Sequence, residues 1–530
     1  MDKPVLHIAD YLIIGGSLMI PILISLKFSK NQNNIKKFFT AHGSIPAWAV
    51  GMSILATLIS SITFLAYPGA GWSSNWILLV QGLMVPITLI FFIGFVVPLY
   101  RNVIKLSAYE YFEQRFGFLA RLYGSLGFFL AHFSKMGTVF FLIALAFAKM
   151  TGFSTTEMIW IIGFVVLFVT LIGGIEAVIW MDVIQGFTLI AGGIVTMVII
   201  LLSTKGGFSA MWTVAYENGR TGFGPYNFNF VQLTFIVMLL NGIFYAIQKY
   251  GTDQTIVQRY LTAKTDKKAI KASLMGVFLC VPVWALFMFI GTALFAYYKI
   301  SGDALPPDIR PDAVFPHFII TRLPVGVVGI VLAALLAAAI SSLDSDLNCL
   351  SAIFMEDYYT RFKPRSTEKQ RLFAGKIVIV LAGIASIFIA MYYVQKEGKG
   401  VLGIIFTLYS IFSGGIAGMF LLGIFSKKAN KQGVYIGIGA SIIFTAYAIL
   451  TSTSLGTGSE KHLLLDFGRY NFTHHKYMLG VYSHIVLFVV GYVASLFFKC
   501  TRDINNLTYA GWLERKKMQN LKTSKLNNEN

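Results

Sequence analysis

Apolar stretches long enough to cross a bilayer recur along most of this 530-residue chain, with short polar connections between them. A helix needs about 20 consecutive apolar residues to span the hydrocarbon core. The pattern therefore predicts an all-α polytopic membrane protein with about 13 transmembrane helices. Their approximate limits are 6–26, 46–68, 74–99, 119–149, 156–178, 182–203, 231–250, 272–298, 316–352, 373–394, 400–426, 432–452 and 477–499.

One of these stretches, Gly326–Phe354, begins as a run of small apolar residues and ends with a group of polar ones. At helical spacing, Ser341, Asp344, Ser345 and Asn348 share one face. A carboxylate at membrane depth is costly and is expected to face the interior of the bundle beside a partner, and oxygen ligands suit a hard cation. The alternative is an ordinary packing helix, whose hydroxyls bond their own backbone four residues back.

Two other apolar stretches contain polar interruptions. The second span carries Thr57, Ser60, Ser61 and Thr63 near its middle, and the seventh contains Asn241 and then Lys249. Hydroxyls halfway along a span indicate either helix packing or an unwound segment with carbonyls free to bind an ion. Two interrupted helices separated by five spans are typical of inverted-repeat transporters.

Two single charges also lie inside apolar sequence. Asp182 is either an interfacial residue that caps the following helix or a cation ligand paired with the region of Asp344. Lys135, one turn after His132, either extends its ammonium to the interface or offers a positive charge to a solute.

The overall composition supports a membrane protein. The chain is 56% hydrophobic and 13% charged, with a mean hydropathy of +0.69. We expect only the polar tail after about Arg502 to be extramembranous and disordered. The net charge of +19 suggests either a nucleic-acid partner or basic cytoplasmic loops, and the second interpretation fits a lipid-embedded chain.

The distribution of basic residues predicts the orientation. They concentrate in alternate connections, which places the N-terminus outside, the C-terminus in the cytoplasm and the protein in the cell (inner) membrane. Residues counted in these connections include Lys27, Lys36, Arg101, Arg259, Lys264, Arg361 and Lys427.

Motifs of other functional classes are absent from the sequence. It contains no GxxxxGKS phosphate loop, no HExxH and no GxSxG. An enzyme is therefore disfavoured. A membrane sensor or a channel stays open as another class, although the tail is short for a signalling domain.

Several sequence motifs, taken together and in order, resemble those of the sodium:solute symporter family, of the sodium/glucose cotransporter type. Within that family the chain is most similar to the bacterial sodium/sialic acid symporters. The resemblance covers about Ile45 to Asn430 and is carried by WAVGMSILATLISSITF, SAYEYFEQRFG, GGIEAVIWMDVIQG, DQTIVQRY, LAAAISSLDSDLN and LLGIFSKKAN. It implies two inverted five-helix repeats of the LeuT type. The division implied is an extra N-terminal helix and loop in 1–40, a core in 41–430, two further helices in 431–500 and a basic cytoplasmic tail in 501–530.

The resemblance also implies ligands for one or two sodium ions. The main site would use carbonyls of Ala56, Ile59 and Ala338 with hydroxyls of Ser341 and Ser342. A second site would fall on Asp182, Ser341, Asp344 and Ser345, although the sialic acid symporters usually have a serine where this chain has Asp344.

Substrate positions carried over from the family are Thr57, Ser60, Thr63 and Lys135. The sialic acid symporters have an arginine at the position of Lys135, and their glutamine on the third span falls on Gly82, with Gln81 adjacent. A lysine lacks the bidentate fork of arginine. The implied partners are a small solute, sodium and the lipid bilayer, without nucleic acid, and no oligomeric state is implied.

The implied activity is sodium-coupled import of a sugar or sugar acid by alternating access. A neutral sugar or polyol and a small monocarboxylate remain alternative solutes.

Overall fold

The computed structural model describes residues 6–29, 35–104, 106–395, 414–455, 462–499, 504 and 506–517. The predicted span at 400–426 lies partly outside this set. In chain order the α-helices are α1 Ile8–Ser29, α2 Ile35–Thr40, α3 Ala47–Leu58, α4 Ser61–Ser73, α5 Leu79–Asn102, α6 Glu110–Phe116, α7 Phe118–Thr151, α8 Thr155–Ser203, α9 Gly207–Glu217, α10 Phe235–Gly251, α11 Gln254–Thr262, α12 Asp266–Ser301, α13 Pro311–Arg322, α14 Val327–Ile353, α15 Thr360–Phe362, α16 Glu368–Gln395, α17 Ile416–Phe425, α18 Lys431–Ser452, α19 Lys476–Ser495 and α20 at 509–517.

Short elements join some of these helices. Three are 3-10 turns, a π-helical turn continues α14, and strands β1 and β2 pair antiparallel. Their bounds are Ala41–Gly43, Trp76–Leu78 and Gly468–Tyr470 for the 3-10 turns, Phe354–Tyr359 for the π turn, and Ser454–Leu455 and His462–Leu463 for β1 and β2.

Helices of membrane-spanning length dominate the described residues. Nine are long and apolar enough to span a bilayer, and the bent pair α3–α4 raises this number to ten. Large apolar side chains cover the outside, with Phe91 84% and Leu202 81% exposed. Exposure on this scale suits lipid rather than water, so the all-helical membrane class is confirmed.

The 49-residue α8, counted above as one of the nine, is long enough for two spans. At 1.5 Å per residue its length is about twice the ~30 Å hydrocarbon core, and Gly174 (φ 60°, ψ −175°) interrupts its helical backbone. Only glycine adopts this conformation readily. Spans were therefore correctly predicted on both sides, but the break falls at Gly174, inside the predicted 156–178.

The predicted span 316–352 is wrong in extent. The structure divides it between α13 and α14, because Pro324 disfavours helical geometry in the residue before it. Leu323 accordingly has extended geometry (φ −79°, ψ 144°).

Helix α14 lies at the centre of the bundle and packs against α1, α3, α7, α8 and α16. Nearly all of its residues are buried. Helices α4 and α12 also approach closely, since a Cβ on Gly291 would lie 2.0 Å from the carbonyl oxygen of Pro68. This packing holds the broken span α3–α4 against the core.

The first and the last of the described helices both contact this core. Asp10 on α1 accepts hydrogen bonds from the backbone N–H groups of Gly326 and Gly329, at 2.8 and 2.7 Å, and thereby caps α14 from another helix. Near the C-terminus, α20 packs Trp512 edge-on against Phe95 of α5. The expectation that the tail after Arg502 is disordered is wrong for 506–517, because its aromatic residues find an apolar surface.

Candidate functional site

The site begins at the break between α3 and α4, where the two helix axes differ by 57°. Ile59 (φ −94°, ψ 105°) and Ser60 (φ −112°, ψ −178°) are extended. The Ser60 side chain accepts from the Ile62 N–H and so begins α4. A helix that ends inside the bundle leaves its last carbonyls without intrahelical donors, which makes them available to an ion.

A second break separates α10 from α11. The Asp253 side chain accepts from the Thr255 N–H at 2.9 Å and begins α11. The interruption thus lies well beyond Asn241, whose side chain instead donates to the carbonyl of Tyr477. The interruption predicted for the second span is confirmed, whereas the one predicted at Asn241 is wrong, because α10 is continuous over Phe235–Gly251 and the chain bends only after it.

The predicted polar face of α14 is buried and bonded to neighbouring helices. Ser341 donates to Asp182 Oδ1 at 2.5 Å, and Ser345 lies 3.4 Å from the Thr57 hydroxyl. Further along, Asn348 Oδ1 accepts from Gln258 at 2.9 Å. These hydroxyls face other helices, so α14 is more than a packing helix.

Asp182 and Arg259 form a fully buried ion pair, with Arg259 Nη2 2.9 Å from Asp182 Oδ2. Ser53 also donates to that oxygen, and Arg259 donates to the hydroxyls of Ser53 and Ser345, both at 2.7 Å. Asp182 is therefore not an interfacial cap. Counting Arg259 among exposed cytoplasmic charges was wrong, because α11 carries it into the core.

Asp344 is also fully buried and lies beside this pair. Ser345 Oγ is 3.4 Å from its Oδ1, while its Oδ2 has no hydrogen-bond partner among the described residues. Asp182 contacts the guanidinium directly, whereas Asp344 approaches the cluster only through the Ser345 hydroxyl. With both carboxylates ionised, the cluster carries one residual negative charge, which a buried site tolerates only if a cation binds or one carboxylate takes up a proton.

The residues expected at the main sodium site lie where α3 and α14 meet. The Ser342 hydroxyl is 3.5 Å from the carbonyl oxygen of Thr57, on the last turn of α3. Ala56 and Ile59 flank that carbonyl on the chain, and Ala338 precedes Ser342 by one helical turn. A hydroxyl of α14 thus lies close to a backbone carbonyl at the end of α3.

A cavity of about 140 Å³ opens beside the α3–α4 break, and it is lined by all five residues expected to contact the solute. Aromatic side chains and a second lysine complete its wall. The lining is Thr57, Leu58, Ser60, Ile62, Thr63, Tyr67, Gln81, Gly82, Ala131, His132, Ser134, Lys135, Tyr245, Lys249 and Trp284.

A second charged network forms part of this wall. Lys135 Nζ lies 3.1 and 3.0 Å from the two carboxylate oxygens of Asp346, and Lys249 Nζ donates to Asp253 Oδ2 at 2.7 Å. His132 lies between the aspartates, with Nδ1 2.9 Å from Asp346 and Nε2 3.2 Å from Asp253.

Sequence reasoning missed Asp253, Asp346 and the environment of Lys249. One signal was available in the sequence. Lys249 and Asp253, at the end of the seventh span, are spaced i, i+4, and this spacing is typical of an ion pair. The partner of Lys135 is 211 positions away and had no such signal.

Comparison with known proteins identifies the architecture. The model of the sodium:solute symporter family matches residues 38–440. The chain belongs to this family.

Individual relatives support the same family assignment. The chain is 34% identical over 440 residues to the sodium/sialic acid symporter SiaT of Proteus mirabilis, covering 82% of this chain and 88% of that protein. It is 30% identical over 473 residues to the sodium/glucose cotransporter of Vibrio parahaemolyticus, with coverage of 83% and 85%.

A sodium-coupled sialic acid symporter, solved substrate-bound and outward-open with a novel sodium site, superposes with a TM-score of 0.84 at 30% identity. The match covers 94% of this chain and 100% of that one. The nucleobase transporter Mhp1 shares the fold at a TM-score of 0.54 and 16% identity, over 87% and 94% of the chains. The LeuT-type fold is thereby confirmed, and the chain is a multi-pass, sodium-coupled solute symporter and not an enzyme.

Proposed function

We propose that this symporter imports a sugar acid of the sialic acid type together with two sodium ions. The observation that carries the proposal is Lys135, whose side chain is 21% exposed in the wall of a cavity that also contains hydroxyls of the broken span. An ammonium beside hydroxyl groups matches a solute that carries one carboxylate and several hydroxyls.

The first sodium would bind between α3 and α14. Its ligands would be the carbonyls of Ala56, Ile59 and Ala338 and the hydroxyls of Ser341 and Ser342. The extended geometry at Ile59 supports this assignment, because it takes the carbonyl out of the helical ladder. An all-oxygen, uncharged ligand set suits a monovalent hard cation.

The second sodium would balance the residual charge of the Asp182–Asp344–Arg259 cluster. The unpartnered, fully buried Oδ2 of Asp344 supports a ligand role, together with the hydroxyls of Ser341 and Ser345 and the carboxylate of Asp182. Arg259 already contacts Ser345 and Asp182, so these two ligands are held in place before the second sodium binds.

Two sodium ions would supply enough driving force for such a solute. Each positive charge entering an interior at −100 mV yields ~2.3 kcal/mol. A solute with one negative charge returns one such increment. The second ion therefore restores a net inward charge.

A neutral sugar or polyol is the second candidate, and the Lys135–Asp346 contact favours it. An ammonium already neutralised by a buried aspartate can serve as a hydrogen-bond donor without requiring an anionic partner. A small monocarboxylate fits less well, since it would leave the hydroxyls of Ser60 and Thr63 unused.

The orientation we infer follows the basic connections, with the N-terminus outside, the C-terminus cytoplasmic and the protein in the cell membrane. We also infer the division into an extra N-terminal helix and loop (1–40), an inverted-repeat core (41–430), two added helices (431–500) and a basic tail (501–530). An impermeant thiol reagent added to intact cells tests the orientation: we expect Ser29→Cys and Ser366→Cys, both in the basic connections, to react only after the cells are permeabilised.

The deciding experiment uses purified protein in proteoliposomes with an inward sodium gradient. Labelled sialic acid and labelled galactose are offered to wild type and to Lys135→Ala. We expect sialic acid uptake that the variant loses. Uptake of galactose alone would assign the chain to neutral sugars, and conductance without accumulation would identify a channel.

A further inference from the structure

The cavity contains a second lysine for which neither the family resemblance nor the comparisons supply a role. Lys249 lies in the last turn of α10, is 6% exposed and lines the same cavity as Lys135. Its ammonium donates to Asp253 Oδ2 at 2.7 Å and to the Thr255 hydroxyl at 3.1 Å. An ammonium has three donors, so one remains for a ligand.

The two lysines are held by one continuous set of buried contacts. Each ammonium bonds an aspartate, and both aspartates contact the imidazole of His132, which stacks on Phe128 at 3.8 Å between ring centroids. Both lysines line the cavity, while the carboxylates of Asp253 (5% exposed) and Asp346 (0%) lie buried behind them. Neither ammonium therefore has to be ordered by the solute before it binds.

This arrangement offers a substitute for a single guanidinium. An arginine binds both oxygens of a carboxylate with one planar fork, whereas a lysine provides a point charge. Two ammonium groups in one cavity provide two separate donors. A carboxylate with one oxygen directed at each lysine would be held in a defined orientation.

Resting on the function proposed above, we propose that Lys249 is a specificity-determining residue that binds the solute carboxylate jointly with Lys135. Lys135 contacts one oxygen and Lys249 the other. The two aspartates and His132 are positioning residues that hold the ammonium groups in place.

The test measures preference for a charged over an uncharged form of the same solute. Equilibrium binding of sialic acid and of its carboxyl methyl ester, at saturating sodium, gives an acid-to-ester affinity ratio for each variant. We expect Lys249→Gln to lower this ratio about tenfold and Lys249→Arg to retain most of it. Lys299→Gln, at the far end of α12, is the matched control and keeps the wild-type ratio.

A purely supporting role for Lys249 predicts a different result. If the lysine only stabilises Asp253, the Gln variant weakens acid and ester equally, the ratio stays unchanged and the proposal is overturned. The double variant Lys249→Gln/Asp253→Asn removes both charges together and so avoids an unpaired buried carboxylate. It should also lose the preference for the acid, and a retained preference contradicts the proposal even if the single variant does not fold.

The experiments distinguish failure of the sugar-acid function from failure of the role proposed for Lys249. Wild-type protein that takes up only a neutral sugar ends the sugar-acid function and this inference with it. Wild-type protein that takes up sialic acid, with an unchanged ratio in Lys249→Gln, leaves the function standing and removes only the role of Lys249.

Discussion

Gly82 lies directly beneath the indole of Trp284, so that a Cβ at position 82 would be 2.6 Å from Cε3 of the ring. Both residues line the solute cavity. A side chain longer than that of glycine therefore has no room at position 82 unless the ring shifts. Trp284 presents an apolar ring face instead, on which the C–H groups of a sugar can pack.

We expect Gly82→Ala to displace this ring and raise the KM for the solute about tenfold, with the half-saturating sodium concentration unchanged. Initial uptake rates at varied solute and sodium concentrations measure both quantities. Gly94→Ala is the control on the same helix, because a Cβ there meets nothing within 4 Å. Equal effects of the two substitutions would mean that the contact with Trp284 is unimportant for binding.

Ser342→Ala should abolish sodium-driven uptake without loss of folding. The hydroxyl lies 3.5 Å from the Thr57 carbonyl, where α3 and α14 would share an ion, and methyl cannot replace it as a ligand. Uptake is compared with the size-exclusion profile and thermal unfolding of the purified variant. Ser386→Ala, which removes a hydroxyl bonded to its own helix, is expected to transport normally. Full activity of Ser342→Ala would rule out the main sodium site as placed here.

Asp344→Asn is expected to lower the Hill coefficient for sodium from about two to about one. The substitution removes the charge that has no counterpart beside Asp182 and Arg259, and with it the requirement for a second cation. Charge moved per solute, recorded with solid-supported membrane electrodes, should fall in parallel. A Hill slope and charge ratio identical to wild type would show that this carboxylate takes no part in coupling.

We predict that the ion pair between Arg259 and Asp182 contributes to the thermal stability of the protein. Arg259→Met leaves a buried, uncompensated carboxylate, which costs ~3–5 kcal/mol. Thermal unfolding in detergent should therefore occur at a much lower temperature in this variant. Adding Asp182→Asn should recover part of the loss, and a double variant no more stable than the single one would mean that the two side chains are not coupled.

The sequence predicted those parts of the site that depend on local spacing. Helical periodicity alone put Ser341 and Ser345 on one face. The cluster of hydroxyls in the second span left either helix packing or an unwound segment open, and the break after Leu58 is the second of these. The partners of these residues could not be predicted in the same way. In the sequence, Arg259 resembles any other basic residue that follows a span. Only the structure shows that α11 packs inside the bundle and buries it. The Gly82–Trp284 and Lys135–Asp346 contacts depend on packing between helices distant in sequence.

A substitution at Asp10 tests whether α1, which lies before the region matched by the family, supports the sodium site. Asp10→Ala removes the acceptor for two N–H groups at the start of α14, and losing such a cap costs about 1 kcal/mol. We expect lower thermal stability and weaker sodium binding, since α14 carries Ser341 and Ser342. Glu217→Ala, which removes an exposed acid in the last turn of α9, serves as the control. Unchanged sodium affinity would show that the cap contributes only to stability.

This cap also limits how the protein can be divided and recombined. The region recognisable as a symporter begins at residue 38, but the helix that bears its coupling serines is anchored by an acidic side chain 28 positions earlier. A chimaera that receives residues 38–440 from this chain and its first helix from a relative without that acid would inherit every proposed ligand, yet hold one of its ligand helices less firmly. Exchanging ion-binding properties between such transporters therefore requires moving the first helix together with the core.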